Sequence, residues 1–244
     1  MSYFSLANRI PEVSALEPKA VVWLYELTSR IPLVRTTYRR FVAAVLGMGM
    51  TEGYALDLGT GPGGVAIDLA HRNPGLEVIG LDLGAHMIER ARRQSLRNGQ
   101  NGRPPWLQAD GHVLPFADDS FDLVISSFAL HHWQDPLEVM NEIARVLRRP
   151  RPDRGQSGGR YYIADVCRET NTFQRIVAYA SIPALSLPFG SYWGYGGYYE
   201  SVRAGYTLDE ARVLLDRSAL PPGRVALDST WFVPTLTVTS AGRE

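Results

Sequence analysis

The residues of this 244-residue chain that could do chemistry gather at the ends of apolar runs. Asp57-Leu58-Gly59-Thr60-Gly61-Pro62-Gly63-Gly64 follows the run Tyr54-Ala55-Leu56 and opens a helical pattern. Glycines at alternating positions permit a tight turn and let a ligand lie against bare backbone, where amides at a helix start meet oxygen atoms. The spacing is Gly-x-Gly-x-Gly, not the Gly-x-Gly-x-x-Gly of dinucleotide sites. Asp57, two positions before Gly59, would repel a pyrophosphate but suits an ammonium group, directly or through water. Asp82, followed by Leu83, ends the next apolar run, where a carboxylate can accept from ribose hydroxyls. Asp110, followed by Gly111 and His112, ends a third, where a carboxylate can accept from an exocyclic amine. Acceptors for an amine, a ribose and a base therefore stand in that order.

Strands must deliver these acids to one edge, and the patterning supplies them. From Gly53 the chain alternates strand and helix: a strand over 54–58, a helix over 65–71, a strand over 76–82 and a helix over 85–98. Short strands at 105–109 and 121–127, a helix over 136–147 and a strand over 160–166 continue it. Such alternation predicts parallel strands joined by crossover helices, an α/β sheet. Two helical patterns precede it between Pro18 and Gly49, making 1–52 a helical cap. Arg149 to Gly159 reads as an exposed loop, and 168–206, rich in Gly, Pro, Tyr and Trp, has the composition of a lid. Thr207-Leu208-Asp209-Glu210 has capping-box form and starts a helix to about Arg217. Two closing strands follow, with Pro234 awkward inside the last because a strand interior needs its amide. Asp118-Asp119 reads as a surface turn, and Arg90, Arg92, Arg93 and Arg97 as cations solvated near a helix end.

These motifs resemble the class I S-adenosylmethionine-dependent methyltransferases, in particular the small-molecule group that includes ubiquinone/menaquinone C-methyltransferases. The likeness spans 53–167 and rests on Asp57 to Gly63, Leu81-Asp82 with Met87, Gln108 to Phe116, and Phe121 to Ser127. It implies a doubly wound, mostly parallel, seven-stranded Rossmann-like sheet in a single domain. Within it, 1–52 would be the cap, 53–167 the cofactor-binding core, 168–206 the lid and 207–244 the closing helix and strands. It also implies S-adenosylmethionine as cofactor, with Asp57, Gly59, Thr60, Gly61, Gly63, Asp82, Leu83, Met87, Asp110, Gly111, His112 and Ser127 around it.

The implied reaction is an in-line displacement at a sulfonium methyl, in which the protein aligns and desolvates and needs a base only for a protonated nucleophile. His131-His132 follows the fourth strand, beside the expected methyl position. His132 is the favoured base and His131 the second candidate. Tyr192, Tyr195 and Tyr198 in the lid, and Asp165 at the end of the fifth strand, are expected to line the acceptor pocket. The lid aromatics point to a small apolar or aromatic acceptor.

Composition narrows the alternatives. Lys+Arg and Asp+Glu are equal at 25 each, so no global field favours RNA or an anionic membrane. The single cysteine, Cys167, excludes a thiolate cluster or internal disulfide and fits a reducing cytoplasm. No metal is expected, because the histidines are scattered or adjacent. The N-terminus lacks a secretory apolar run, and no stretch nears the roughly 18 apolar residues of a spanning helix. An RNA or protein methyltransferase and a non-catalytic S-adenosylmethionine-binding protein remain as alternatives. A nicotinamide oxidoreductase is disfavoured by Asp57 and the glycine spacing.

Overall fold

The computed structural model describes residues 9, 32–97, 99, 103–151, 153, 157–176, 198–229 and 233–240. Its elements are α1 (Pro32–Gly47), β1 (Gly53–Leu58), α2 (Gly64–Arg72), β2 (Leu76–Asp82), α3 (Ala85–Arg97), β3 (Trp106–Gln108) and β4 (Leu123–Ser127). A 3-10 turn (Leu130–His132), α4 (Pro136–Val146), β5 (Arg160–Val166), α5 (Tyr198–Ala204), α6 (Leu208–Arg217), β6 (Gly223–Ser229) and β7 (Pro234–Ser240) complete them.

The seven strands form one sheet in the order β3-β2-β1-β4-β5-β7-β6. β1 to β5 run parallel, while β7 inserts antiparallel between β5 and β6. The chain moves outward from β1 to β3, then returns to place β4 on the other side of β1. This reversal opens a crevice above the carboxyl ends of β1 and β4, where open α/β sheets bind ligands. Asp57, Asp82 and Ser127 all lie at strand carboxyl ends.

Parallel strands buried on both faces read as nearly continuous apolar runs, as Ala55 to Leu58 and Leu123 to Ile125 do. On one face, Phe41, Val42 and Val45 of α1, Val65 to Ile67 of α2 and Ile88 of α3 pack on Ala55, Val78 and Ile125. On the other, Val139, Met140 and Ile143 of α4 and Leu215 of α6 pack on Leu56, Val124 and Ile163. Asp135 caps α4 by accepting from the amides of Leu137 and Glu138, each at 3.1 Å. The capping box at α6 forms as its sequence predicts, with Glu210 N–H donating to Thr207 Oγ1 at 3.2 Å and Thr207 N–H to Glu210 Oε2 at 2.8 Å.

Pro234 is resolved by position. It begins β7, where its carbonyl accepts from Cys167 N–H at 2.7 Å. Of the expected cap, α1 is described, whereas the earlier helical pattern at 21–27 lies outside the described residues. The lid stretch is described only at 168–176 and 198–206, so Tyr192 and Tyr195 also lie outside, and Tyr198 is described only as the first residue of α5. No described helix is long and apolar enough to cross a membrane.

Candidate active site

The turn from β1 to α2 is built on left-handed glycines, and they serve different ends. Gly63 has φ of 82°, and a methyl group there would fall 2.4 Å from the Trp106 ring, so its bareness lets α2 pack on β3. Gly61 has φ of 54° and nothing within 4 Å of such a methyl, which would project into open space at the cleft. The Gly59 and Thr60 amides donate to Leu81 O at 2.8 and 2.9 Å, pinning the loop to β2.

Asp57 lies fully buried beneath this loop and is not part of the cleft wall. Its Oδ2 accepts from Thr60 Oγ1 at 2.6 Å, while Oδ1 is buried with no hydrogen-bond partner. Burial pushes its pKa up to about 7, Asp82 adds to the rise, and the Thr60 hydroxyl and Ala66 amide offset part of it. Asp82 does line the cleft. Its two oxygens accept from Gly61 N–H and Gly84 N–H, each at 2.8 Å, so it shapes the glycine loop as well as facing the space above it. Burial raises the Asp82 pKa and those two amides lower it.

Asp110 stands at the same wall. One oxygen meets the His112 amide at 2.9 Å and the His112 Nδ1 at 2.6 Å, and both hold its carboxyl below the usual range. His112 Nε2 accepts from Asp135 N–H at 3.2 Å, which places the neutral ring's proton on Nδ1. Asp110 is thereby linked through one ring to the cap of α4. Leu83, Met87, Gly111, His112 and Ser127 also line the cleft, as do Gly59, Thr60 and Gly61, but Gly63 does not.

The two histidines part company. His132 lines the cleft, where burial first and the His131 ring second hold its pKa well below the usual 6.5. A ring neutral at pH 7 can accept a proton. His131 lies buried away from the cleft: its amide donates to Asp165 Oδ2 at 2.6 Å and its Nδ1 meets Asp165 Oδ1 at 2.6 Å. The Asp165 carboxylate is likewise fully buried, so it does not line a pocket; it clamps the turn that carries His132. Arg9 braces the same turn, donating to His131 O at 3.3 Å and Ala204 O at 2.8 Å, with its guanidinium 4.2 Å from the Tyr206 ring centroid. Cys167 is buried and its thiol is pushed up to about 11 by burial, the opposite of an activated nucleophile.

The sequence marked 1–52 as a cap but did not single out the residues of α1 that wall the cleft. Arg35, Tyr38, Arg39 and Val42 recur at i, i+3, i+4 and i+7 and all line the cleft. Tyr38 sets its ring edge-on to Phe128, with centroids 5.8 Å apart at 85°. Phe128 has φ of 56°, a left-handed conformation costly for a bulky residue, held by its amide's 2.8 Å bond to Ala164 O. The helical period of α1 carried the signal for its four residues, but which way that face turns depends on packing. The whole cleft measures about 1130 Å³ and runs from Met87 and Asp110 past the glycine loop to Ser127, His132 and Trp133.

Residues 56–150 match the family described as Methyltransferase domain. That stretch of the chain is similar to methyltransferase domains. The chain is 40% identical over 92 residues to the demethylmenaquinone methyltransferase of Thermus thermophilus, which is 38% of this chain and 41% of that protein. It is 35% identical over 127 residues to the enzyme of the same name from Thermotoga maritima, 51% of this chain and 52% of that one. A malonyl-[acyl-carrier protein] O-methyltransferase of Halorhodospira halophila is 34% identical over 151 residues, 59% of this chain and 42% of that protein. The chain thus spans about half the length of these curated relatives or less. Among solved structures, a methyltransferase of Methanococcus maripaludis superposes with a TM-score of 0.66 at 22% identity, covering 96% of this chain and 98% of that one. The matched stretch is common to relatives named for demethylmenaquinone and for malonyl-[acyl-carrier protein], so the match singles out no one acceptor.

Proposed function

We propose that this chain transfers a methyl group from S-adenosylmethionine to a small apolar or aromatic molecule by in-line displacement. The observation that carries the reading is a single cleft that starts at Asp82 and Asp110, passes the bare backbone of Gly61 and ends at a neutral His132. Pockets for one small ligand run about 300–1,000 Å³. At about 1130 Å³ this cleft has room for a cofactor and a second molecule.

The residues fit the cofactor. Gly61 leaves its backbone open to the cleft, Asp82 and Asp110 keep unused lone pairs facing it, and Asp57 holds an unmet carboxylate oxygen beneath the loop. Asp82 would take the ribose hydroxyls, Asp110 the adenine amine and Met87 the adenine face, while Asp57 answers the amino group through Thr60 or water. The cofactor supplies an electrophilic methyl on a sulfonium and leaves as a neutral thioether. The protein's task is alignment and exclusion of water, which Tyr38, Phe128 and Trp133 serve by walling the cleft. Where the acceptor atom carries a proton, the His132 ring takes it as the new bond to carbon forms.

Calorimetric titration with S-adenosylmethionine, S-adenosylhomocysteine and NADH tests the first half. Binding of the two adenosyl compounds without NADH is expected; NADH binding alone would overturn it. Methyl transfer from labelled cofactor into an acceptor panel tests the second half.

A further inference from the structure

The cleft is more cationic than the chain. Acids and bases balance over the whole sequence, yet Arg35, Arg39, Arg72, Arg90 and Arg97 line the cleft against three carboxylates, Asp68, Asp82 and Asp110. Those three acids are engaged. Asp68 pairs with Arg72 at 2.9 Å, Asp82 takes two amides, and Asp110 takes His112. Arg35, Arg39 and Arg97 form no ion pair among the described residues. Burial first, then the like charges of Arg97 and Arg93 on the same helix, push the Arg90 pKa down. A cofactor with a sulfonium, an ammonium and one carboxylate would add positive charge rather than remove it.

Two of these arginines stand beside the aromatic wall. Val42 anchors α1 in the core, and the same helical face then carries Tyr38, Arg39 and Arg35 outward along the cleft. Tyr38 with Phe128 offers an apolar surface. A guanidinium one turn away offers a planar fork that matches the oxygens of a carboxylate or phosphate. Low-dielectric walls lined by one sign of charge concentrate the opposite sign.

We propose that the acceptor is a small anion, with an apolar or aromatic body resting against Tyr38 and Phe128 and a carboxylate or phosphate group paired with Arg35 and Arg39. This rests on the methyl-transfer reading above and narrows its substrate class.

The test uses the whole chain saturated with S-adenosylhomocysteine and titrated by calorimetry with 4-hydroxybenzoate, phenyl phosphate and the neutral 4-hydroxybenzamide. One acid is expected to bind roughly tenfold tighter than the amide at low ionic strength, with the gap shrinking as salt is added. The acid with the wider gap identifies the group. In the double variant Arg35→Gln/Arg39→Gln the gap closes while affinity for S-adenosylhomocysteine holds, because both side chains are exposed and glutamine keeps the helix. Equal affinities, no binding by either acid, or a gap that survives the double substitution would overturn the proposal. So would loss of S-adenosylhomocysteine binding in the double variant alone, which would place the arginines on the cofactor's own carboxylate. Failure of the unsubstituted chain to bind S-adenosylhomocysteine would instead remove the methyl-transfer reading beneath it.

Discussion

Asp165 meets His131 twice: one carboxylate oxygen accepts the backbone N–H and the other lies against ring Nδ1, each at 2.6 Å. Both side chains are buried, so the pair fixes the 3-10 turn from below while His132 faces the cleft from above. Removing one partner of a buried pair leaves the other uncompensated. Asp165→Ala is expected to destabilise the fold by about 3–5 kcal/mol in denaturant titration. A loss below about 1 kcal/mol, the range of an exposed pair, would show that the clamp is dispensable.

His132→Gln should lower turnover by roughly 10²–10⁴-fold with cofactor affinity unchanged, when the acceptor brings a proton to be removed. Because burial holds the His132 pKa well below 6.5, the acid limb of the wild-type rate profile should lie below the usual histidine range and the rate should stay level through pH 7. Wild-type and variant profiles of the same height and shape would take this ring out of the reaction.

Asp57 should report on the cofactor by releasing a proton. With a pKa of about 7, roughly three-quarters of the molecules carry that proton at pH 6.5. An ammonium group brought near favours the ionised form, so the heat of binding at pH 6.5 should vary with the ionisation enthalpy of the buffer and cease to vary in Asp57→Asn. The same raised pKa sets the sign for stability. Between the ordinary 3.8 and about 7 the folded state holds the extra proton, so this group's contribution to apoprotein stability declines as pH rises through that window.

Asp82→Ala removes the acceptor of two amides and the expected ribose contact together. Cofactor affinity should fall by roughly 1–3 kcal/mol while the cooperative unfolding transition persists. Unaltered affinity by calorimetry would reassign this side chain to loop geometry alone.

Gly63→Ala places a methyl group 2.4 Å from the Trp106 ring and demands φ of 82° from a residue with a Cβ. A loss of about 2–4 kcal/mol is expected from overpacking plus backbone strain, read as a lowered melting temperature. Gly61→Ala also carries the strain of a left-handed φ of 54° but meets no such contact, so it should cost less stability than Gly63→Ala while weakening cofactor binding.

Much of this architecture was legible because local rules coincide with it. Alternating strand and helix patterns predicted the parallel sheet, and the acids at strand ends fell at one edge because every parallel strand ends on the same side. Residue type did not reveal depth. Asp57 and Asp82 look alike in the sequence, yet one, the penultimate residue of β1, sits under the loop and the other, the last residue of β2, stands on the cleft wall. His131 and His132 are neighbours with ring centroids only 4.0 Å apart, yet only the second reaches the cleft, because Asp165, far along the chain, captures the first. The cap was expected but its cleft-facing residues went unnamed for the same reason: helical spacing marks a face, and only packing says what that face meets.

Arg9 is held by the carbonyls of His131 and Ala204, residues far apart in the chain. One side chain therefore joins the turn after β4 to the end of α5. Neither His131 nor Ala204 belongs to a strand, so this grip lies outside the seven-stranded sheet. The turn bearing His132 is therefore tied at once to residue 9 and to the end of α5, and a change at either is felt at the cleft.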